Sequence, residues 1–164
     1  MIRFGEWKRE WLKLPVVLTI AGVLLFIINF IVPYVMMASG TNEWTVEMGN
    51  TVFYIDMVIS LILFLTIGFV FCRNISRKVL LKSAHFLLIY YVAIIILEQG
   101  AQKLGVYTIG MVLLFLPFEI FAFLVRLMSI IFGSVGSIMF YIIPISFAAY
   151  LFVPFGIKDK IESE

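Results

Sequence analysis

Residues 104–157 read LGVYTIGMVLLFLPFEIFAFLVRLMSIIFGSVGSIMFYIIPISFAAYLFVPFGI, and only Glu119 and Arg126 in this stretch are charged. It is far too long for one helix across a hydrocarbon core of about 30 Å, which takes roughly 20 residues, and comfortable for two. Gly133-Ser-Val-Gly-Ser137 looks like a turn between them. Yet Ser129, Gly133 and Ser137 are spaced i, i+4, i+8, the small-residue pattern of close helix packing in membranes. The sequence favours a turn within 127–135, giving spans at about 106–126 and 130–154, with Pro144 near the middle of the last.

Working outward, three more apolar runs precede this stretch, at about 15–38, 51–72 and 79–98. Pro15 opens the first, where a first-turn proline is tolerated, and Pro33 is expected to bend its far end. Residues 2–14 place Phe4, Trp7, Trp11 and Leu14 on one helical stripe, with Arg3, Lys8, Arg9 and Glu10 mostly off it. The tryptophans suit a short amphipathic helix lying at headgroup level. The expected fold is all-α: a polytopic transmembrane helix bundle of about five spans, or four. Residues 1–14 form the interfacial helix, 15–156 a single membrane domain, and 157–164 a short polar tail.

Composition agrees. Residues of the AVILMFWYC set make up 63% of the chain and charged residues 13%, and mean hydropathy is +1.14. Twelve basic and ten acidic side chains cannot cover the surface of a soluble domain with so much apolar sequence. One cysteine, Cys72, excludes an intrachain disulfide, and with only His85 beside it no Cys/His zinc cluster or bis-histidine haem can form in one chain. No cofactor or metal is implied, and a net charge of +2 gives no reason to expect nucleic acid. Phosphate-binding, serine-hydrolase and zinc-protease motifs are absent from the sequence.

Basic residues set the expected topology. Segment 1–14 has four Lys/Arg, and segment 73–82 has Arg73, Arg77, Lys78 and Lys82. Segment 39–50 has none, and 99–105 only Lys103. Because Lys and Arg mark the cytoplasmic side, the N-terminus and 73–82 are expected inside. Five spans would leave the tail outside, and four would leave it inside. Short loops and the lack of a sorting signal favour a bacterial cytoplasmic membrane. The cluster Arg73, Arg77, Lys78 and Lys82, with Arg126 snorkelling to the same face, is a candidate contact for anionic lipid.

An ionisable group inside hydrocarbon costs about 2.5–3.5 kcal/mol on insertion scales, so such groups are the first functional candidates. Glu119 lies about 13 residues into its span, near the midplane, two residues after Pro117. It reads either as a proton- or cation-coupling carboxyl or as a protonated hydrogen-bonding group holding the bundle. Arg126 is seven residues on, about 10.5 Å along a straight axis, so no direct bond between the two is expected. Asp56 lies about five residues into the second span, with Ser60 one turn deeper. Glu98, Gln99 and Gln102 end the third span at a similar depth, where Asp56 and Glu98 could share an outward cavity. His85 and Asn29 are expected to hydrogen-bond across helices.

Three function classes follow. The favoured expectation is a small non-enzymatic accessory or structural subunit, packed against itself or a larger membrane partner through the Ser129, Gly133 and Ser137 stripe. The alternative is an oligomeric proton- or cation-coupled transporter or channel using Glu119 with Asp56 or Glu98. A membrane enzyme acting on lipid or quinone is the third.

Overall fold

The computed structural model describes residues 10–39, 43–133 and 139–158. Helix α1 spans Lys13–Ala38, running on through Pro33. Helix α2 spans Val46–Thr66 and continues through a π-helical turn, Ile67–Phe71, and a 3₁₀ turn, Cys72–Asn74. Helix α3 spans Arg77–Lys103. Each start has a local cause: Pro15 sits in the first turn of α1, the Thr45 hydroxyl accepts from the Met48 amide, and the Ser76 hydroxyl accepts from the Val79 amide. Gly105, at φ +68°, ends α3. There the Val106 amide reaches the Ala101 carbonyl and the Gly105 amide reaches that of Gln102, the paired bonds of a Schellman cap.

These three helices are long and apolar enough to cross a membrane, and they match the first three expected spans. The chain thus has the build of an all-helical integral membrane protein. Apolar side chains such as Phe30, Val46 and Ile89 face outward, as suits a lipid-covered surface.

The expected fourth span, 106–126, is not one straight crossing. It is a 3₁₀ segment Ile109–Phe115, a single turn α4 at Leu116–Glu119, and helix α5 at Ala122–Phe132, with a bend of 79° at residues 120–121. Side-chain contacts give the sense of each arm. Tyr90 reaches Leu114, and Tyr91 packs on Phe115 and Phe118, so the first arm runs back down α3 from its end at Lys103. Phe123 packs on Phe64 while Arg126 reaches Asp56, so α5 runs antiparallel to α2 and climbs back toward the end where the arm began. The expected turn in 127–135 is present, since α5 stops at Phe132 and Gly133 has φ +68°.

Helix α6, Met139–Ala148, and a 3₁₀ segment, Ala149–Phe155, then carry the chain toward the α2–α3 turn. Ile157 pairs there with Ser76: its amide donates to Ile75, and its carbonyl accepts from Arg77. The Arg77 guanidinium also donates to the carbonyls of Gly156 and Pro154, at 3.1 and 3.2 Å. Gly156 fits because a Cβ there would meet Leu80 at 2.7 Å and the Ile75 carbonyl at 3.0 Å. Between Lys103 and Ile157 the chain therefore makes one net passage along the bundle, and the described helices give three or four candidate spans, so the expected five are not confirmed.

At the other terminus, the Trp11 carbonyl accepts from the buried Ser83 hydroxyl at 2.6 Å, and the Trp11 ring meets Phe86 edge-on. A 3₁₀ turn, Glu10–Leu12, leads into α1 here. The rest of the expected interfacial helix, residues 1–9, lies outside the described residues, as do Ser137 and tail residues 159–164.

A sidedness test follows. In oriented membrane vesicles, with the buried native Cys72 as background, Lys158→Cys should react with a membrane-impermeant maleimide from the same side as Lys78→Cys. Lys103→Cys should react from the opposite side. Labelling of Lys158→Cys from the Lys103 side would contradict the fold.

Candidate functional site: a cavity at the broken helix

The break has a chemical origin in Leu-Pro-Phe-Glu, residues 116–119. Pro117 has no amide hydrogen, so in a 3₁₀ pattern the Leu114 carbonyl loses its i+3 donor. The Tyr90 hydroxyl supplies one instead, at 3.1 Å. On the other side, Gly22 of α1 lets the α4 backbone come very close: a Cβ at Gly22 would lie 1.7 Å from the Leu116 carbonyl oxygen. Leu116, Pro117 and Phe118 are buried, as are Ile120 and Phe121 at the bend. The chain thus reverses inside the bundle, with irregular backbone sheltered by protein, the setting in which a bilayer tolerates it.

The reversal brings Arg126 to Asp56. Its Nε donates to Asp56 Oδ2 at 2.6 Å, and its Nη2 lies 2.5 Å from the same oxygen. Asp56 is 1% exposed, and the Arg126 side chain 26%. The guanidinium also covers the Phe53 ring, 4.8 Å from its centroid. Asp56 Oδ1 is buried with no hydrogen-bond partner among the described residues. Ser60 is fully buried one turn away, but its hydroxyl donates to the Met57 carbonyl. Breaking such a pair by removing one partner typically costs about 3–5 kcal/mol, because a charge is left buried and uncompensated.

Beside this pair is an open cavity of ≈ 450 Å³. Phe53, Tyr91, Phe115, Phe118, Glu119, Arg126 and Ser129 contribute to its wall. Glu119 is half-buried and within electrostatic range of both Asp56 and Arg126. Three ionisable side chains therefore meet here: Asp56 and Arg126 pair with each other, and Glu119 stands beside them on the cavity wall.

Several expected placements change. Arg126 does not snorkel to the face of the basic cluster; it is bound to Asp56 within the bundle. Asp56 and Glu98 do not share this cavity: Asp56 faces Arg126, while Glu98 accepts from Gln102 at 3.3 Å on its own helix, with Gln99 exposed beside it. Of the small-residue stripe, Ser129 and Gly133 are described and Ser137 lies outside the described residues. The Ser129 hydroxyl donates to Val125 in the cavity wall, and Gly133 is the turn that ends α5, with open space where a Cβ would go. His85 makes no hydrogen bond to another helix among the described residues. Its Nδ1 lies 2.7 Å from the Leu81 carbonyl, and its ring meets Tyr150 edge-on. Asn29 is half-buried in α1 without a hydrogen-bond partner among the described residues. Arg73, Lys78 and Lys82 are exposed at the α2–α3 turn, whereas Arg77 is committed to the C-terminal segment.

Sequence reasoning missed the Asp56–Arg126 pair and the aromatic residues around it. Depths counted along a straight fourth span put Arg126 at the wrong end. The available signals were Pro117 inside the span and two lone, opposite charges in an apolar stretch. Comparisons with family models, curated proteins and solved structures found no match.

The arm should depend on the bond that replaces the missing proline amide. Tyr90→Phe is expected to lower the unfolding free energy in detergent by about 1 kcal/mol. An unchanged denaturation midpoint would mean that the Leu114 carbonyl gains nothing from the hydroxyl.

Proposed function

We propose that this chain is a membrane transport protein in which Glu119 binds and releases a proton or a cation within the cavity at the α4–α5 break. One observation carries the reading: Glu119 lines the cavity beside Arg126, whose charge is already met by Asp56. Ionisable residues within membrane segments mark ion and proton pathways, and transporters build their ion sites at interrupted helices near the midplane. A purely structural carboxyl would be expected to spend its oxygens on a neighbouring helix, and Glu119 has no hydrogen-bond partner among the described residues.

Of the features behind the accessory-subunit reading, the small-residue stripe is the one that bears on this site, and there Gly133 ends α5. An enzyme would need acid, base and electrophile converging at one place, and Glu98 and His85 lie off this cavity. The distribution of Lys and Arg supports an orientation with Arg73, Lys78 and Lys82 on the cytoplasmic side. The C-terminal segment, tied to Ser76 and Arg77, would then also be inside. So few spans favour an oligomer as the working form.

The test is flux. In proteoliposomes loaded with a pH-sensitive dye, the wild-type protein should dissipate an imposed proton gradient. Glu119→Gln, which keeps the shape and removes the charge, should reduce this to the protein-free background without lowering thermal stability. Equal rates for the two proteins would end the coupling role.

A further inference from the structure

Resting on that reading of Glu119, we infer that the cavity at the helix break binds a hydrophobic organic ammonium ion, its charged nitrogen against Glu119 and its apolar part among the aromatic rings. The wall decides the class. Four rings border the cavity, from Phe53, Tyr91, Phe115 and Phe118. Tyr91 and Phe118 pack at 4.6 Å between centroids, and Tyr91 and Phe115 at 6.1 Å, so three of the rings form one cluster next to Glu119. Aromatic faces carry partial negative charge and attract alkylated ammonium groups, most strongly where water is excluded. This wall already holds one organic cation in that manner, the Arg126 guanidinium on Phe53.

Other ligand classes fit less well. A metal ion such as Ca²⁺ wants six to eight oxygen ligands. No group of three or more His, Cys, Asp and Glu able to hold one occurs among the described residues. The hydroxyl hydrogen of Ser129 is directed to Val125. An anion would look to Arg126, but two of its nitrogens are on Asp56 and its face is on Phe53. A weakly hydrated ammonium costs little to dehydrate, needs only one counter-charge, and has an apolar remainder that gains from burial. The volume of ≈ 450 Å³ lies within the range of about 300–1,000 Å³ typical of small-molecule sites.

The test uses the full chain in detergent and isothermal titration calorimetry. The probes are benzyltrimethylammonium and its neutral isostere neopentylbenzene, which has carbon in place of nitrogen. The ammonium ion should bind saturably at one site per chain and raise the melting temperature, with the isostere about tenfold weaker or worse. Glu119→Gln, checked for an unchanged melting curve, should lose most of the preference for the charged probe. Equal affinity for the two probes would overturn the inference, as would ammonium binding that Glu119→Gln leaves intact, or no saturable binding. If binding fails while Glu119-dependent proton movement persists, the ligand class is wrong and the transport reading stands. If both fail, the two fall together.

Discussion

The ion pair between Asp56 and Arg126 constrains the rest of this bundle. Each charge alone would be costly in hydrocarbon, and together they are tolerable only in contact. Asp56 is fixed on a helix that runs the length of the molecule. Arg126 can meet it only if the preceding segment goes down along α3, turns, and climbs along α2. The 79° bend, the short α4 and the cavity beneath α5 all accompany that meeting. Glu119 owes its place on the cavity wall to the same reversal, since it is the last residue before the bend.

A reversal inside an apolar bundle exposes backbone groups that need partners, and two residues on other helices supply what is required. Tyr90 gives a donor to the carbonyl that Pro117 leaves open. Gly22 removes a side chain so that α4 can lie against α1. Without water to take up stray hydrogen bonds, local fixes of this kind decide whether a broken helix is stable in a membrane. The C-terminal end repeats the logic. Gly156 makes room, and Arg77 gathers the carbonyls of a segment in which Pro154 cannot continue a regular hydrogen-bonding pattern.

Much of this was legible in the sequence wherever composition decides structure. The first three helices lie within a few residues of their apolar runs, and Gly133 ends a helix where its neighbourhood reads as a turn. Glu119 was recognisable as the deepest acid of its span. The partner of Asp56 was not, because hydropathy measures how apolar a stretch is and not which way it runs. Residues 109–132 have the length and character of one crossing, so counting depth along a straight axis separated Arg126 from Asp56 and brought Glu98 toward it instead. The aromatic wall was hidden for a related reason: Phe and Tyr are so frequent in this chain that none stands out until the fold gathers Tyr91, Phe115 and Phe118 beside one acid. The role of Arg77 was obscured by its neighbours, since a basic cluster beside a membrane reads as lipid contact or topology marker.

The central claim is that Asp56 and Arg126 touch, and a double-mutant cycle tests it most directly. Asp56→Leu and Arg126→Met, made singly and together, would be unfolded by denaturant in detergent. If the pair is formed, each single change costs about 3–5 kcal/mol, and the double mutant loses far less than the sum because no buried charge is left alone. Losses that add to within about 0.5 kcal/mol would place the two residues apart and restore a straight fourth span.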